Sequence, residues 1–312
     1  MSSSTEHGVL LLNKQSGFTS FDSLNEVKRA FNTGKVGHTG TLDKFATGLL
    51  VVLVGRAVKL APLFSNASKE YRATVQFGTE TDTLDPEGKV IGEAPVPKLE
   101  DVEAAFAAFR GEIQQAPPAY SAIHIDGQRA HELTRKGIAV EMKQRPVSIH
   151  SLELLSWTPP EAVLHVHCSS GTYIRSLARD IAHAVNSRAH LCALVRTKVG
   201  NFRLEDSVSS NDRNVTDSLL PLDAMLFQTL ALPVFSVDAQ AAIAFMHGKP
   251  LRQIVPQAFA AIQDGAETAE AAGVFKRAAD GEAGELIGIL KRNKGINGKS
   301  SDWTYAHVFQ VR

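Results

Sequence analysis

The stretch GHTGTLDKFATGLLVVLV, residues 37–54, decides the fold, because a glycine-rich loop runs straight into an apolar strand. Residues 49–54 are apolar at every position and include three valines, a pattern typical of a strand buried on both faces. The loop before it, residues 37–48, contains three glycines and one carboxylate, Asp43. Glycine lets a second backbone approach closely, so we expect this loop to pack against another segment and to fix the direction of Asp43.

Two interpretations of Asp43 stay open from the loop alone. Asp43 is a candidate catalytic carboxylate, but a short acidic side chain in a turn also commonly hydrogen-bonds its own backbone. A phosphate-binding P-loop is excluded, because no Gly-Lys-Ser or Gly-Lys-Thr follows the glycines.

Strand and helix patterns alternate on both sides of this stretch without a regular βαβ repeat. Strand patterns cover residues 9–12, 49–54, 71–77 and 163–168, and helix patterns cover residues 24–31, 102–109 and 173–185. Ser23 and Glu26 stand in the positions of a capping box at the start of the first helix. This order favours an α+β fold with a mixed β-sheet.

A second, smaller unit is predicted at the C-terminal end. Its boundary lies near residues 218–233, followed by a helix at 238–247 and by short strand patterns at 273–277, 285–290 and 305–311. The sequence therefore predicts a large domain at residues 1–225 and a small β-rich domain at residues 233–312.

The net charge of zero, from 33 basic and 33 acidic residues, hides an uneven distribution. Residues 28–72 contain eight basic and two acidic side chains, residues 79–112 three basic and nine acidic, and residues 120–205 eleven basic and seven acidic. Phosphate binding needs a local basic surface, because charges act over roughly 8–10 Å in physiological salt. A nucleic-acid partner is therefore compatible with the neutral total, although solvated faces that alternate in sign would give the same count.

Composition excludes several classes of protein. Hydrophobic residues make up 44% and charged residues 21% of the chain, which is too apolar and too evenly charged for a disordered protein. No apolar run reaches about 18 residues, so no membrane span is expected, and the polar N-terminus does not resemble a secretion signal. Two cysteines, Cys168 and Cys192, exclude a disulfide framework and favour a reducing, cytoplasmic location.

No metal site is predicted. His165 and His167 share one face of the strand at 163–168, but Cys168 points to the other, so the three side chains cannot converge. The acidic segment at residues 81–88 lacks the spacing and the closing glutamate of an EF-hand, and is interpreted as a turn.

The segment GTYIR, residues 171–175, places a cation just inside the start of a helix. The helix dipole disfavours a positive charge there, so Arg175 is expected to have an anionic partner. An RNA phosphate and a carboxylate such as Asp43 are both candidates, and an exposed salt bridge of little energetic weight is the alternative.

These segments together resemble the TruB family, the tRNA pseudouridine-55 synthases. The resemblance spans residues 9–202 in five ordered blocks: LNK with GFTS (12–14, 17–20), GHTGTLD with ATG (37–43, 46–48), KEY with TDT (69–71, 81–83), PPAYSA (117–122) and GTYIR (171–175). It implies a catalytic domain of the pseudouridine synthase type with a PUA-like RNA-binding domain after it. It also implies a tRNA T-loop substrate, no cofactor, no metal, and a monomer without an obligate protein partner.

The resemblance also implies roles for individual residues. Asp43 matches the family's catalytic aspartate, and Arg175 the arginine that pairs with it. Arg175 and the other matches are assigned to substrate binding: Tyr71 to stacking on the target base, Leu194 to the uridine pocket, His38 to the space left by the flipped-out nucleotide, and Lys14. A target base inside a folded RNA must be extruded before chemistry, which explains the need for stacking and displacing side chains.

Five positions depart from the family pattern. Lys44 and Gln15 stand where proline is usual, which is expected to loosen two loops without removing chemistry. His124 replaces a lysine, His131 a tyrosine and Val195 an arginine. The first and the last replacement each remove a positive charge, so RNA affinity is expected to be weaker or more dependent on pH there.

Two rival functions differ from the isomerase in class or in substrate. One is an RNA-binding or tRNA-folding module in which catalysis is secondary, and the presence of Asp43, Tyr71 and Arg175 argues against it. The other is the same chemistry on guide-directed RNA, as in dyskerin-like relatives, and the absence of a lysine-rich tail weakens it.

Overall fold

The computed structural model describes residues 7–121, 124–125, 128–129, 142–212, 214–254, 269–292 and 303–309. The strands are β1 (Gly8–Lys14), β2 (Val36–His38), β3 (Thr47–Val54), β4 (Lys69–Phe77), β5 (Thr79–Thr81), β6 (Val90–Glu93), β7 (Gly111–Gln115), β8 (His124–Ile125), β9 (Gln128–Arg129), β10 (Arg145–Thr158), β11 (Glu161–Cys168), β12 (Ala189–Val199), β13 (Phe202–Arg203), β14 (Val208–Ser209), β15 (Leu220–Pro221), β16 (Val234–Val237), β17 (Ala271–Arg277), β18 (Ala283–Arg292) and β19 (Trp303–Val308). The helices are α1 (Leu24–Ala30), α2 (Ala61–Ser65), α3 (Leu99–Ala105), α4 (Ile174–Ala184), α5 (Ala224–Thr229), α6 (Ala239–Met246) and α7 (Leu251–Ile254), with 3₁₀ turns at Gly55–Leu60, Phe106–Phe109 and Leu204–Asp206.

The large sheet is mixed, as the sequence predicts. Its strands follow the order β14-β1-β3-β12-β4-β11-β10-β7, with β2, β15 and β13 paired to β3, β1 and β12. Strand β3 runs antiparallel to β1 and parallel to β12, where Val195 lies opposite Thr47 and Arg196 opposite Gly48. The start of β3 therefore lies beside the middle of β12.

Strand β3 is buried on both faces, which confirms the interpretation of its continuous apolar sequence. Leu49, Val51 and Leu53 pack in an apolar cluster that includes side chains of the C-terminal sheet. The alternate residues Leu50, Val52 and Val54 pack on the other face against Leu24, Val27 and Phe31 of the first helical segment. The glycine-rich loop that precedes β3 is thus attached to the most buried strand of the sheet.

Helix α1 forms where its apolar spacing predicts it, but the predicted capping box is wrong. Ser23 precedes the helix with φ −61° and ψ −19°, and its side chain caps no helix N–H. Its hydroxyl instead donates to the carbonyl of Thr19 at 3.0 Å. The turn at residues 19–23 already has near-helical backbone angles at Ser23, so the extended conformation of a capping residue is not adopted.

The second core lies between α4 and one face of strands β4, β11 and β12. Its side chains include inward-facing residues that period-two alternation and the helix stripe select, among them Tyr71, Ala73, Val75, Phe77, Leu164, Val166, Ile174, Leu177 and Ile181. Leu194 of β12 belongs to the same cluster. The same packing holds the first turn of α4 against the sheet, next to the loop that carries Asp43.

The C-terminal strands form a separate sheet in the order β16-β17-β18-β19. Its side chains share an apolar cluster with the large sheet, since Phe275 and Ile289 belong to the same cluster as Val9 and Phe64. Phe227 of α5 also packs edge-on against Phe275, with ring centroids 5.3 Å apart. The division at residues 225 and 233 stays a prediction. No helix in the described part of the chain is long and apolar enough to cross a membrane.

Candidate active site

The loop that carries Asp43 is held by the segment that follows β1. The backbone N–H of Gly17 donates to the carbonyl of Lys44 at 2.9 Å, and the hydroxyl of Ser16 to that of Phe45 at 2.9 Å. On the other side of Asp43, the buried hydroxyl of Ser20 donates to the carbonyl of Leu42 at 3.1 Å and accepts its N–H at 2.8 Å. Residues on both sides of the carboxylate are therefore fixed by one neighbouring segment.

Arg196 of β12 holds the same loop from the other direction. Its buried guanidinium donates to the carbonyl of Leu49 at 2.8 Å and to that of Gly40 at 3.1 Å. Gly48 has φ +104°, and a side chain there would overlap the backbone of Arg196. Glycine is required at this position by its backbone conformation and by the close approach, which confirms that a second backbone packs on the loop.

Arg175 brings the loop to the start of α4. Its Nε lies 2.9 Å from one carboxylate oxygen of Asp43, and its Nη2 donates to the other at 2.9 Å. The remaining donors contact the carbonyl of Thr83 at 2.8 Å, the carbonyl of Tyr120 at 3.1 Å and the carboxylate of Asp85 at 3.2 Å. Arg175 is only 4% exposed. The partner expected for Arg175 is therefore a carboxylate, and the alternative of an exposed salt bridge is wrong.

Asp85 is a second carboxylate at the site, and sequence reasoning missed it. It lies in the turn at residues 81–88, is 6% exposed, and accepts the N–H of Glu87 at 3.1 Å besides the contact with Arg175. The segment is a turn, as predicted. A guanidinium has five N–H donors, which is more than one carboxylate can accept. The presence of an arginine at position 175 was therefore the one sequence feature that indicated a second acceptor nearby.

Burial and charge act against each other on Asp43. Burial raises the pKa of its carboxyl, the Arg175 guanidinium acts to lower it, and the nearby Asp85 raises it further, with a net rise above 3.8. The side chain is nevertheless 33% exposed, so it remains accessible although both of its oxygens lie 2.9 Å from the Arg175 guanidinium. Such a group can attack carbon or remove a proton from a molecule that docks against its exposed part.

Tyr71 of β4 and Leu194 of β12 pack in the same apolar cluster as Leu42 and Ala46, residues on either side of Asp43 in its loop. Tyr71 and Leu194 are 8% and 6% exposed, and they face the core side of β4 and β12. Arg196 pairs with Tyr71 across these two strands. Burial raises the pKa of the Tyr71 hydroxyl above its ordinary value of 10.0, so this ring is neutral at physiological pH.

His38 ends β2, just before the loop. Its Nδ1 is buried and has no hydrogen-bond partner among the described residues. Burial, followed by the charge of Arg196, lowers the pKa of the imidazole below 6.5, so the ring is uncharged at neutral pH. A neutral ring with an unsatisfied nitrogen differs from an ordinary core histidine, whose ring nitrogens are usually bonded.

Lys14, the last residue of β1, contacts the backbone of the loop that carries Asp43. Its side chain is 1% exposed, and Nζ donates to the carbonyls of Ala46 at 2.6 Å, Gln15 at 2.9 Å and Lys44 at 3.3 Å. These contacts hold the backbone on the C-terminal side of Asp43. Burial lowers the pKa of Lys14 to about 8, and the nearby charge of Asp43 opposes this effect.

Stability at alkaline pH is expected to depend on Lys14. Because its pKa is about 8 in the folded chain and 10.5 ordinarily, the unfolded chain binds more protons between these values, and the free energy of unfolding rises with pH. We expect Lys14→Met to lose this contribution, measured by urea unfolding from pH 7.5 to 10. Lys69→Met should behave in the same way, because burial also lowers the pKa of Lys69 to about 8. The exposed Lys89 supplies the control variant Lys89→Met, and a pH-independent difference between wild type and Lys14→Met would contradict the prediction.

Of the five positions that depart from the family pattern, Lys44, Gln15 and Val195 lie among the described residues. Lys44 forms an ion pair of 3.7 Å with Glu87, which links the Asp43 loop to the acidic turn. Gln15 accepts the bond from Lys14, and Val195 lies opposite Thr47. Only the backbone of His124 is described, and His131 lies outside the described residues. Among the described residues, no group of three or more His, Cys, Asp or Glu side chains could hold a metal ion.

The comparison with known proteins agrees with this geometry. Residues 28–174 match the model of the TruB family pseudouridylate synthase N-terminal domain. A tRNA pseudouridine synthase B of Borreliella burgdorferi is 46% identical over 223 residues, which cover 70% of this chain and 79% of the relative. The chain belongs to the TruB family. A TruB relative of Aromatoleum aromaticum is 42% identical over 251 residues, 78% of this chain and 80% of the relative, and that of Bordetella avium is 48% identical over 206 residues, 65% and 84%.

Solved structures show the same fold at lower sequence identity. A chain in the crystal structure of a Cbf5-Nop10-Gar1 complex superimposes with a TM-score of 0.62 at 23% identity, covering 91% of this chain and 78% of that chain. A chain in the archaeal box H/ACA sRNP Nop10-Cbf5 complex gives 0.62 at 22% identity, covering 92% and 79%. These matches cover about nine-tenths of the present TruB family chain, so they include its C-terminal sheet. The predicted α+β fold with a PUA-like second unit is therefore confirmed.

Proposed function

We propose that this chain converts uridine 55 in the T loop of tRNA to pseudouridine, with Asp43 as the catalytic carboxylate. The observation that carries the proposal is the ion pair between Asp43 and the buried Arg175, on a loop fixed from both sides. Nε and Nη2 of Arg175 each lie 2.9 Å from a different carboxylate oxygen, and the Asp43 side chain is still 33% exposed. The relatives at 42–48% identity are all named tRNA pseudouridine synthase B. These two findings support the same reaction class.

The reaction needs one well-placed carboxylate and no redox change. The N1–C1′ bond of uridine breaks, the uracil turns, C5 bonds to C1′, and the hydrogen of C5 leaves as a proton while N1 becomes protonated. An ionised Asp43 serves either as the nucleophile at the ribose or as the base that removes a ribose proton. Both roles use the exposed part of the carboxylate.

The surrounding side chains support the binding of an extruded uridine. Tyr71 is proposed to stack on the uracil, Leu194 to line its pocket, and His38 to take the space that the base leaves in the RNA. A neutral His38 suits this role, because a charged imidazole would have to be desolvated among stacked bases. For Lys14, the contacts with three carbonyls support a positioning role for the loop rather than a bond to RNA.

The C-terminal sheet is proposed to add RNA contacts as a PUA-like domain at residues 233–312, next to a catalytic domain at residues 1–225. We further propose that the protein works as a monomer in the cytoplasm. The guide-directed rival is less well supported, because the structures from box H/ACA complexes share the fold at no more than 23% identity. A function limited to RNA binding does not account for the contact between Asp43 and Arg175.

The reaction is tested with a T-arm hairpin RNA that carries tritium at C5 of the target uridine. Because the C5–H bond is replaced by a C5–C1′ bond, we expect the purified protein alone to release tritium in proportion to the pseudouridine formed. A hairpin with tritium at a stem uridine is the matched control and should release none. Retention of all tritium in the target hairpin, with bound RNA present, would leave only a binding function.

A further inference from the structure

Phe18 and Phe21 are large aromatic side chains that the core does not use. They are 55% and 63% exposed, whereas the other aromatic side chain of this segment, Phe31, is 8% exposed. Both lie between β1 and α1, within the segment that fixes the Asp43 loop. The two rings stand three positions apart in a segment that is bonded to the Asp43 loop, and exposed apolar side chains next to a candidate active site are typical of a contact surface.

The position of Phe18 is fixed by its neighbours. Gly17 immediately before it is bonded to the carbonyl of Lys44, and Ser20 is bonded to both backbone groups of Leu42. The ring is therefore carried by a short span whose two ends are anchored on either side of Asp43. A rigid ring loses little conformational entropy when a flat partner stacks on it.

Phe21 has a cation on one face. The ammonium of Lys28 lies 4.5 Å from the ring centroid, which leaves the ring exposed for a second contact. The nearby acidic residues have partners of their own, since Asp22 of this segment accepts from Thr19 at 2.6 Å and Glu26 of α1 lies 3.9 Å from Arg29. Aromatic rings combined with cations are the usual means of binding unpaired nucleotides without sequence readout.

We propose that Phe18 and Phe21 form a stacking platform for the unpaired nucleotides that flank the target uridine. The inference rests on the proposed function, because extruding one base from the T loop leaves its neighbours without their stacking partner. A platform anchored to the Asp43 loop holds those neighbours at a fixed distance from the carboxylate. RNA is the occupant that fits, because Lys28 places a cation on the Phe21 ring and the segment is bonded to the loop that carries Asp43.

The platform is tested by measuring the dissociation constant of a fluorescein-labelled T-arm hairpin for Phe18→Ala and Phe21→Ala. Stacking of one base corresponds to about a 5- to 150-fold change in affinity, and we expect each variant to weaken binding within this range. Phe18→Trp should restore it. The effect should fall on the dissociation constant more than on the single-turnover rate at saturating RNA.

The control variant is Leu155→Ala, because Leu155 is 53% exposed and belongs to β10, four strands from β3 in the sheet. Unchanged affinity in both phenylalanine variants overturns the platform. If wild-type protein forms no pseudouridine while Phe18→Ala still weakens RNA binding, the proposed reaction fails and the platform stands. In hairpins with 5-iodouridine next to the target, irradiation should join the RNA to Phe18 or Phe21, and a crosslink found only elsewhere contradicts the proposal.

Discussion

Replacing Asp43 by asparagine is expected to abolish pseudouridine formation while RNA binding persists. The amide keeps the shape of the side chain but has no negative charge, so it is a poor nucleophile and a poor base. Loss of the group that reacts with the substrate costs on the order of a thousandfold or more in rate. Tritium release from the T-arm hairpin measures the rate, and fluorescence anisotropy of the same hairpin measures the affinity.

The exposed Asp101 in the first turn of α3 supplies the matched control, Asp101→Asn, which should retain full turnover. Retention of turnover by Asp43→Asn would remove Asp43 from the chemistry. The pH profile gives an independent check. Because burial raises the pKa of Asp43, the wild-type rate should fall on the acid side at a pH above 3.8, as the carboxylate becomes protonated.

Replacing Arg175 by methionine is expected to damage both stability and activity. The variant leaves Asp43 and the buried Asp85 without the cation that separates their negative charges. Removing one partner of a buried ion pair typically costs about 3–5 kcal/mol in the free energy of unfolding. The rate of pseudouridine formation should fall as well, because the carboxylate of Asp43 loses its orientation and its pKa rises further.

A second pair of variants separates charge from geometry at this position. Arg175→Lys keeps one positive charge but cannot reach two carboxylates and two carbonyls with a planar fork, so it should recover only part of the stability and little of the rate. Asp85→Asn added to Arg175→Met removes one of the two unpaired charges and should recover some stability. Urea unfolding and single-turnover rates give both quantities, and wild-type behaviour of Arg175→Lys would contradict this description of the site.

Much of the site's position could be predicted from local sequence. The six apolar residues at 49–54 make β3 an interior strand that is buried on both faces, and the glycine-rich loop before it must then lie at the edge of that core. Arg175 stands at a helix start where a cation needs an anion, and Asp43 is that anion. These predictions succeed because periodicity and helix electrostatics act within a few residues.

The parts that could not be predicted depend on contacts between distant segments. Asp85 meets Arg175 across 90 positions, and Arg196 meets Gly40 across 156. The family resemblance assigns Lys14 to substrate binding, and only the folded loop surrounds its ammonium with carbonyls. The capping role of Ser23 failed for a similar reason, since the fold of the preceding turn decides where its hydroxyl points.

The most direct test is to map pseudouridine in complete unmodified tRNA before and after incubation with the purified protein. We expect one new pseudouridine, at position 55 of the T loop, formed by wild-type protein without cofactor or guide RNA and absent with Asp43→Asn. Pseudouridine at another position, a requirement for guide RNA, or an equal yield from Asp43→Asn would contradict this expectation.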